Sequence, residues 1–356
     1  MPTVALTRDQ VEVCYRALRE HDGNKTTAAE SLGMSVGAFR NRIRRGAQLY
    51  GLEVASEQPD DRVRYPVLPD GDIPIEDVID SMSRRFERRH DLAKAKRWMD
   101  IEVPVSGPFC VVWVGDPHLD SNGCNWPLLR EHIELMRANR DICYAFSVGD
   151  CLDNWPKSGR LTALYAQSDT SEDTAWRLAE WFLEKSDVNW LGWLLGNHDL
   201  WNDASRVFKS LGAQQVWMED WGARFKLVPA TGEPYRIWAS HNFPGHSQWN
   251  SLHGAGKAAA MKEEADVYVA GHTHNWALHT EENASRGFVY DIVRARGYKY
   301  LDDHADRLGF DSQAFGASVV TVFNPAAERA DERLQTFRNL RLGIEFCRYL
   351  RGARST

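Results

Sequence analysis

The 356-residue sequence lacks several features that would place it in a simple class. Its six cysteines form no C-x-x-C pair and no regular spacing, which argues against a disulfide framework or a structural zinc site and predicts a reducing, cytoplasmic location. No signal-peptide core opens the chain, and no apolar run approaches the roughly 20 residues that span a bilayer, so we expect no membrane partner. No internal repeat or low-complexity tract is visible either.

The sequence also lacks a large excess of charge of either sign. The formal net charge is -7, which excludes a uniformly basic nucleic-acid binder. That charge is unevenly distributed, because residues 1–50 carry a balance of +3 and the remainder carries -10. With 43% hydrophobic residues, the chain is long enough to bury a large core. These values favour a small basic module joined to an acidic body.

Residues 1–50 read as a compact helical module. Thr7 and Gln10 match a capping box, apolar residues then recur at helical spacing, and Ser35 can cap a later helix that carries Phe39 on one face. A helix, a short glycine-bearing turn and a basic helix are typical of a helix-turn-helix. The stretch from Gly23 to Ser35 closely resembles the Fis-type helix-turn-helix, which implies DNA contact by the helix that follows. The candidate DNA-binding residues are Arg40, Arg42, Arg44 and Arg45. The alternative is a packing or dimerisation module whose arginines are merely solvated.

Two further segments are predicted at the borders of the catalytic region. Residues 51–105 have the proline and acidic-turn composition of a linker, and residues 75–98 within them read as one charged helix. Residues 327–356 are predicted to form a C-terminal helix. The region between these segments, residues 106–326, is predicted to be the catalytic domain.

In that region five apolar, strand-like runs each end in a polar cluster. The clusters are D-P-H at 116–118, G-D-C-L-D-N at 149–154, G-N-H-D at 196–199, His241, and G-H-T-H at 271–274. Ligands in layered α/β folds sit at the carboxyl ends of strands, so the five clusters are expected to gather at one edge of the fold. His241 is favoured over His246 and His253 because it directly follows its apolar run.

The gathered side chains have the chemistry of a metal centre. They are Asp116, His118, Asp150, Asn197, His241, His272 and His274. Carboxylate, amide and imidazole ligands without thiolate favour manganese, with iron, zinc or nickel as alternatives. Seven ligands exceed what one tetrahedral ion uses, so two divalent ions that share a carboxylate are predicted.

The ordered set D-x-H, G-D-x-x-D-N, G-N-H-D, H and G-H-x-H closely resembles the calcineurin-like metallophosphoesterase superfamily over about residues 108–275. The resemblance implies an α/β fold, an αββα two-sheet sandwich, with the small helical domain at its N-terminus. It also implies a first metal held by Asp116, His118 and His274. A second metal would be held by Asn197, His241 and His272, with Asp150 bridging both.

The same resemblance implies that His198 is not a ligand but a proton donor to the leaving oxygen, polarised by Asp199. The residues themselves agree, because a histidine beside a carboxylate suits a general acid. Four other residues are candidates for substrate binding: Asp153, Asn154, His246 and His253. Alternatively, Asp153 and Asn154 support the metal ligands from behind, and the two histidines are ordinary surface residues.

The functional hypothesis is a two-metal phosphodiesterase or nuclease that acts on DNA, in which a metal-bridging hydroxide attacks phosphorus. The acidic balance outside residues 1–50 favours an alternative substrate, namely a phosphomonoester, a phosphoprotein or a small nucleotide. A non-enzymatic DNA-binding assembly protein is the third hypothesis. Self-association into a homo-oligomer stays open.

Overall fold

The computed structural model describes residues 6–52, 73–202, 216–247, 249–261, 264–284, 287–301 and 316–352. It divides into two compact units, Met1–Pro74 and Ile75–Thr356. None of the described helices has the length and apolar composition of a membrane span.

The first unit contains three helices, α1 (Arg8–Glu20), α2 (Lys25–Ser31) and α3 (Val36–Tyr50). The predicted capping box is present, since Thr7 and Gln10 exchange side-chain and backbone hydrogen bonds at the start of α1. The Ser35 hydroxyl accepts from the Ala38 amide at 3.2 Å and begins α3, as predicted. These caps satisfy amides that the first helical turn leaves without partners.

A small apolar core joins the three helices. Phe39 of α3 and Leu18 of α1 are buried, together with Ala28 and Ala29 of α2. Where α1 meets α3, a Cβ on Gly46 would lie 2.1 Å from Val11 Cγ1. Only glycine therefore permits this close approach of the two helices.

The four predicted DNA-binding arginines lie on α3. Arg40 and Arg44 are exposed, and Arg42 and Arg45 are half-buried. The buried face of α3 is formed by Phe39 and Gly46. The predicted basic helix is thus present, with part of its charge facing solvent.

Replacing Phe39 with Ala is expected to unfold the first unit. Loss of a buried phenylalanine costs about 3–5 kcal/mol, and a core of this size rarely supplies more than about 3–5 kcal/mol. Limited proteolysis with mass spectrometry should show faster cleavage within residues 6–52. Leu49→Ala is the matched control, because Leu49 lies on the same helix with 56% of its surface exposed. Equal cleavage of the two variants would contradict this account of the core.

The second unit contains two six-stranded sheets. The strands are β1 (Met99–Val103), β2 (Phe109–Val114), β3 (Cys143–Ser147), β4 (Trp190–Leu195), β5 (Met218–Asp220), β6 (Gly222–Pro229), β7 (Tyr235–Ser240), β8 (Val267–Ala270), β9 (Ala277–Asn283), β10 (Phe288–Arg294), β11 (Val319–Phe323) and β12 (Leu334–Phe337). The strand order of one sheet is β1-β6-β7-β8-β10-β9, and that of the other is β12-β11-β2-β3-β4-β5.

Helices accompany both sheets. They are α4 (Ile75–Ala95), α5 (Trp126–Ala138), α6 (Thr162–Ala166), α7 (Glu172–Glu180), α8 (Asn197–Leu200), α9 (His253–Met261) and α10 (Leu340–Gly352). A π-helical turn, Trp181–Lys185, continues α7, and a 3-10 turn, Ala330–Glu332, precedes β12.

The core is arranged in layers. Trp113 and Phe146 of one sheet pack with Phe225 and Ile237 of the other in a buried cluster between the sheets. On the outer face of the β2–β3–β4 sheet, residues of α5, α7 and α10 complete a second cluster, and α9 covers the other sheet in a third. The predicted α/β fold, an αββα two-sheet sandwich, is confirmed.

Two predicted borders differ from the structure. The linker was expected to run to residue 105, but β1 pairs in parallel with β6 from Met99 to Val103 as an edge strand. Residues 327–356 were expected to be helical, but β12 pairs antiparallel with β11 and α10 begins only at Leu340. Both strands are so short that helical and strand periodicities cannot be told apart in the sequence. Pairing with a neighbouring strand determines their secondary structure.

Candidate metal centre

The five polar clusters lie at the carboxyl ends of five strands drawn from both sheets. Strands β2, β3 and β4 run parallel in one sheet, and β7 and β8 run parallel in the other. Parallel neighbours end on the same side, so each sheet delivers its clusters to one edge. The two edges meet, as the distances between side chains from different sheets show.

One group of donors surrounds His241, which follows β7. Its Nε2 lies 3.2 Å from Asn197 Oδ1, 3.1 Å from His272 Nδ1 and 3.2 Å from Asp150 Oδ2. Two imidazole nitrogens, an amide oxygen and a carboxylate oxygen at such separations suit a shared cation.

A second group surrounds His118, which follows β2. Its Nε2 lies 3.2 Å from His274 Nε2, and His274 Nε2 lies 3.9 Å from Asp116 Oδ2. Asp116 Oδ1 is buried and makes no hydrogen bond with any described residue. A buried carboxylate oxygen is costly to leave uncompensated, so a bound cation would fit here.

Asp150 belongs to both groups. Its carboxylate and the ring nitrogens of His118 and His198 lie within 4.8 Å of one another, and the same holds for Asp150, His241 and His272. Asp150 is therefore common to two groups of residues that could each hold a metal ion.

Polar contacts on the far side of two of the rings orient them. His241 Nδ1 lies 2.7 Å from the Val148 carbonyl oxygen, to which it can donate. His118 Nδ1 lies 2.8 Å from Asp153 Oδ1. Such partners leave Nε2 of each ring free for a metal and raise its basicity.

The backbone turns these residues inward at a conformational cost. The φ angle is +30° at Asp116, +45° at His118, +54° at Asp150, +71° at His272 and +50° at His274. Non-glycine residues rarely adopt such angles, which persist only where the surroundings impose them and are concentrated at functional sites.

Burial governs the protonation of the imidazoles. It lowers the pKa of His198 and His272 to about 4 and that of His274 well below its ordinary value, so these rings are neutral near pH 7. Burial would also lower the pKa of His241, but the Asp150 and Asp116 carboxylates outweigh it and raise that pKa to about 9. Burial raises the pKa of Asp116 to about 7. A divalent cation would supply the positive charge that these carboxylates attract.

Comparison with known families decides the class of this centre. Residues 110–276 match the calcineurin-like phosphoesterase model, and residues 15–46 match the model of bacterial regulatory proteins of the Fis family. Residues 110–276 form a calcineurin-like phosphoesterase domain. The residues of both donor groups lie within the first match, and the second match lies within the three helices of the first unit.

Solved structures with a similar fold include two nucleotidases. The NAD nucleotidase NadN of Haemophilus influenzae is 12% identical over 65% of this chain and 49% of its own, with a TM-score of 0.35. The 5'-nucleotidase precursor of Thermus thermophilus is 12% identical over 69% of this chain and 58% of its own, also with a TM-score of 0.35. This chain therefore spans about half the length of both.

A third similar structure is the calcineurin-like phosphoesterase YfkN of Bacillus subtilis, which is 10% identical over 69% of this chain and 99% of its own, with a TM-score of 0.35. No curated protein matches the sequence significantly.

In the phosphoesterase domain, His198 and Asp199 make different contacts from those expected. His198 Nδ1 lies 2.5 Å from the Asp153 carbonyl oxygen. The Asp199 carboxylate instead accepts hydrogen bonds from the amides of Gly196, Asp150 and Cys151 at 2.8–2.9 Å. The expected polarisation of His198 by Asp199 is therefore wrong. Asp199 points back along α8 because three free amides bind it there, and it joins the loop after β3 to the loop after β4.

The predicted substrate-binding residues separate into two pairs. Asp153 faces His118, and the Asn154 side chain donates to the His198 carbonyl at 2.7 Å and to that of Trp201, so both support the centre. His246 and His253 are exposed on the loop after β7 and at the start of α9. The contacts favour the supporting role for Asp153 and Asn154.

Two basic residues that contribute to the site were given no role at the sequence level. The buried Lys299 Nζ lies 2.9 Å from Asp153 Oδ1 and so neutralises the carboxylate that holds His118. Arg294 donates to the Gly271 carbonyl at 2.6 Å and to Thr273 Oγ1 at 2.8 Å, which braces the G-H-T-H loop. The only signal for them in the sequence is the alternation of basic and aromatic residues between positions 287 and 300.

Replacing Gly196 with Ala should disrupt the centre. The added Cβ would lie 2.1 Å from Asp150 Oδ1 and 2.7 Å from His241 Cε1, and displacing reacting groups by about 1 Å can cost about 100-fold in rate. We expect kcat on a small diester to fall by about that factor and the bound metal, measured by mass spectrometry of the metal, to fall with it. Gly256→Ala is the control, since its Cβ would meet only Ile292 Cδ1 at 3.8 Å. Unchanged metal content in Gly196→Ala would contradict the shared position of Asp150.

Proposed function

We propose that this protein is a two-metal phosphodiesterase that cleaves DNA, with its helix-turn-helix supplying affinity for the nucleic acid. The observation that carries the two-metal part is the membership of Asp150 in both donor groups. Manganese is the proposed metal, because the donor set combines carboxylate, amide and imidazole without thiolate.

The chain's residues would divide the reaction between them. Two bound cations would polarise the phosphoryl oxygens and lower the pKa of a coordinated water. Asp116, His118 and His274 would hold one cation and Asn197, His241 and His272 the other, with Asp150 between them. His198 would donate a proton from Nε2 to the departing oxygen. Because its Nδ1–H is held by the Asp153 carbonyl and its pKa is about 4, the ring would first take up a second proton, which a bound phosphate anion would favour.

The DNA-binding part is supported by α3. Arg40 and Arg44 are exposed on the helix that would enter the major groove in a helix-turn-helix. Arginines on such a helix contact phosphates or base edges. Contacts with phosphates make the affinity for DNA depend on salt concentration.

A second candidate is hydrolysis of a small nucleotide or another small phosphoester. The balance of -10 outside residues 1–50 favours it, because a surface that binds a long duplex usually carries more positive charge. In that case the helix-turn-helix would serve another purpose, and turnover of small substrates would exceed that of DNA.

His198→Ala should lower manganese-dependent diester hydrolysis about 100- to 10,000-fold, which is the contribution of a general acid, while metal content stays unchanged. Hydrolysis of the dinucleotide dTpdT, whose departing alkoxide must be protonated, and metal analysis measure the two effects. His253→Ala is the control, because His253 is exposed on α9. If hydrolysis persists in His198→Ala, the proton-donor role is wrong.

The double variant Arg40→Glu, Arg44→Glu should lower cleavage of duplex DNA by about tenfold or more at low salt, because contacts with two phosphates would be lost. Hydrolysis of bis(p-nitrophenyl) phosphate should not change. Arg8→Glu is the control, since Arg8 is exposed on α1, where it pairs with Glu12 at 2.9 Å. Equal losses on both substrates would reject the targeting role of α3.

A further inference from the structure

A pocket of about 430 Å³ opens beside the metal centre, in the volume range of small-molecule sites. We call it the side pocket and define it by Asp120, Trp155, Tyr165, Asp169, Glu172 and Trp176. Its lining comes from the loops after β2 and β3 and from the segment that contains α6 and α7, and none of the candidate metal ligands lines it.

The side pocket lies on the His198 side of the centre. The ring of Trp155 is 4.9 Å from the His198 ring, and Asn154, which also lines the pocket, donates to the His198 carbonyl at 2.7 Å. A departing group leaves on the side of its proton donor, so the side pocket is placed to receive the leaving group rather than the phosphoryl half of the substrate.

The lining is aromatic and acidic. Trp155 and Tyr165 offer ring surfaces, and the lining contains three carboxylates, those of Asp120, Asp169 and Glu172, but one lysine, Lys157. That lysine is paired with Glu172 at 2.6 Å. Aromatic rings stack with planar bases, and carboxylates accept hydrogen bonds from amino and hydroxyl groups. The surplus of negative charge would repel a phosphate.

The wall next to His198 is held in place. Asn202 Nδ2 donates to the Trp155 carbonyl at 2.9 Å and to that of Asn154 at 3.0 Å, and Lys299 Nζ lies 5.2 Å from the Trp155 ring. A site that is already ordered before binding pays a smaller entropic cost when the ligand binds. The fixed ring of this wall therefore suits a planar ligand.

From these observations we propose that the side pocket binds the leaving group of the substrate as a single neutral nucleoside. This inference rests on the proposed diesterase function. In the step, water adds to phosphorus, the bond from phosphorus to the nucleoside oxygen breaks with its electron pair on that oxygen, and His198 protonates it. The products are a nucleoside with a free hydroxyl and a phosphomonoester dianion on the other half, while one proton of the attacking water restores His198 and the other is released to solvent. Cleavage would therefore occur at a chain end or in a dinucleotide.

The test uses the full-length protein with manganese and two dinucleotides, dTpdT and the same molecule with a further phosphate on the nucleoside that departs. We expect kcat/KM to be about tenfold higher for dTpdT. Tyr165→Ala should raise KM for dTpdT about tenfold, the effect of losing one stacking partner. Asp169→Lys should lower the ratio of kcat/KM for dTpdT to that for the phosphorylated dinucleotide about fivefold. The substitution replaces a charge that repels the additional phosphate with one that attracts it.

Asp173→Lys is the matched control, since Asp173 is exposed in the next turn and does not line the side pocket. Equal rates on the two dinucleotides, or a preference that Asp169→Lys leaves unchanged, would overturn the inference.

Bis(p-nitrophenyl) phosphate separates this inference from the proposed function. If the wild-type protein does not hydrolyse it, the diesterase function fails, and the pocket is then tested by equilibrium dialysis. Binding of thymidine but not thymidine 5'-monophosphate, abolished by Tyr165→Ala, would support the pocket. Absence of thymidine binding would overturn it.

Discussion

The structure depends on holding seven polar side chains, among them four imidazoles and two carboxylates, close together at a site where four of them are buried and three are half-buried. Burial alone opposes this, since it penalises charged carboxylates and leaves oxygens such as Asp116 Oδ1 without a hydrogen-bond partner among the described residues. The cost extends to the backbone, which adopts positive φ angles at five of the seven residues. Such a cluster is stable only when surrounding structure imposes it and when a cation compensates the buried charge.

Two features of the domain impose the cluster. Rigid strands fix where each loop begins. The apolar cluster between the sheets, which includes Trp113 and Phe225, fixes the distance between the two sheet edges. Buried polar groups then hold the loops from behind. Asp199 binds three amides across two loops, Lys299 and Asp153 orient His118, and Arg294 braces the loop of His272. The centre is therefore a product of the layers as much as of its ligands.

The remainder of the chain determines what this centre can reach. The first unit supplies a basic helix with its own small core, and the inserted α6 and α7 supply an aromatic and acidic pocket beside His198. These two parts have opposite charge preferences. A basic helix can bind a polyanion, whereas the side pocket is suited to a neutral group, so recognition of a strand and accommodation of its end would occupy different surfaces.

Much of this could be predicted from the sequence. Each ligand follows a short apolar run and the order of the motifs is specific, so the five clusters and the layered fold could be predicted. The helix-turn-helix could be predicted from residues 1–50. Local chemistry determined them, because strand periodicity, caps such as Ser35 and metal-binding residue types are properties of neighbouring residues.

Only the tertiary structure decided which residues serve those ligands. Asp199 follows His198 directly in the chain, yet its carboxylate turns toward three amides and the Asp153 carbonyl meets the ring instead. Lys299 lies far along the chain from the motifs and reaches Asp153 only after the strands have paired. The same holds for β1 and β12, whose short segments become strands because β6 and β11 offer unpaired edges. Hydrogen-bond partners and sheet edges are set by proximity in space, which depends on the packing of the whole domain and is not encoded in any local pattern.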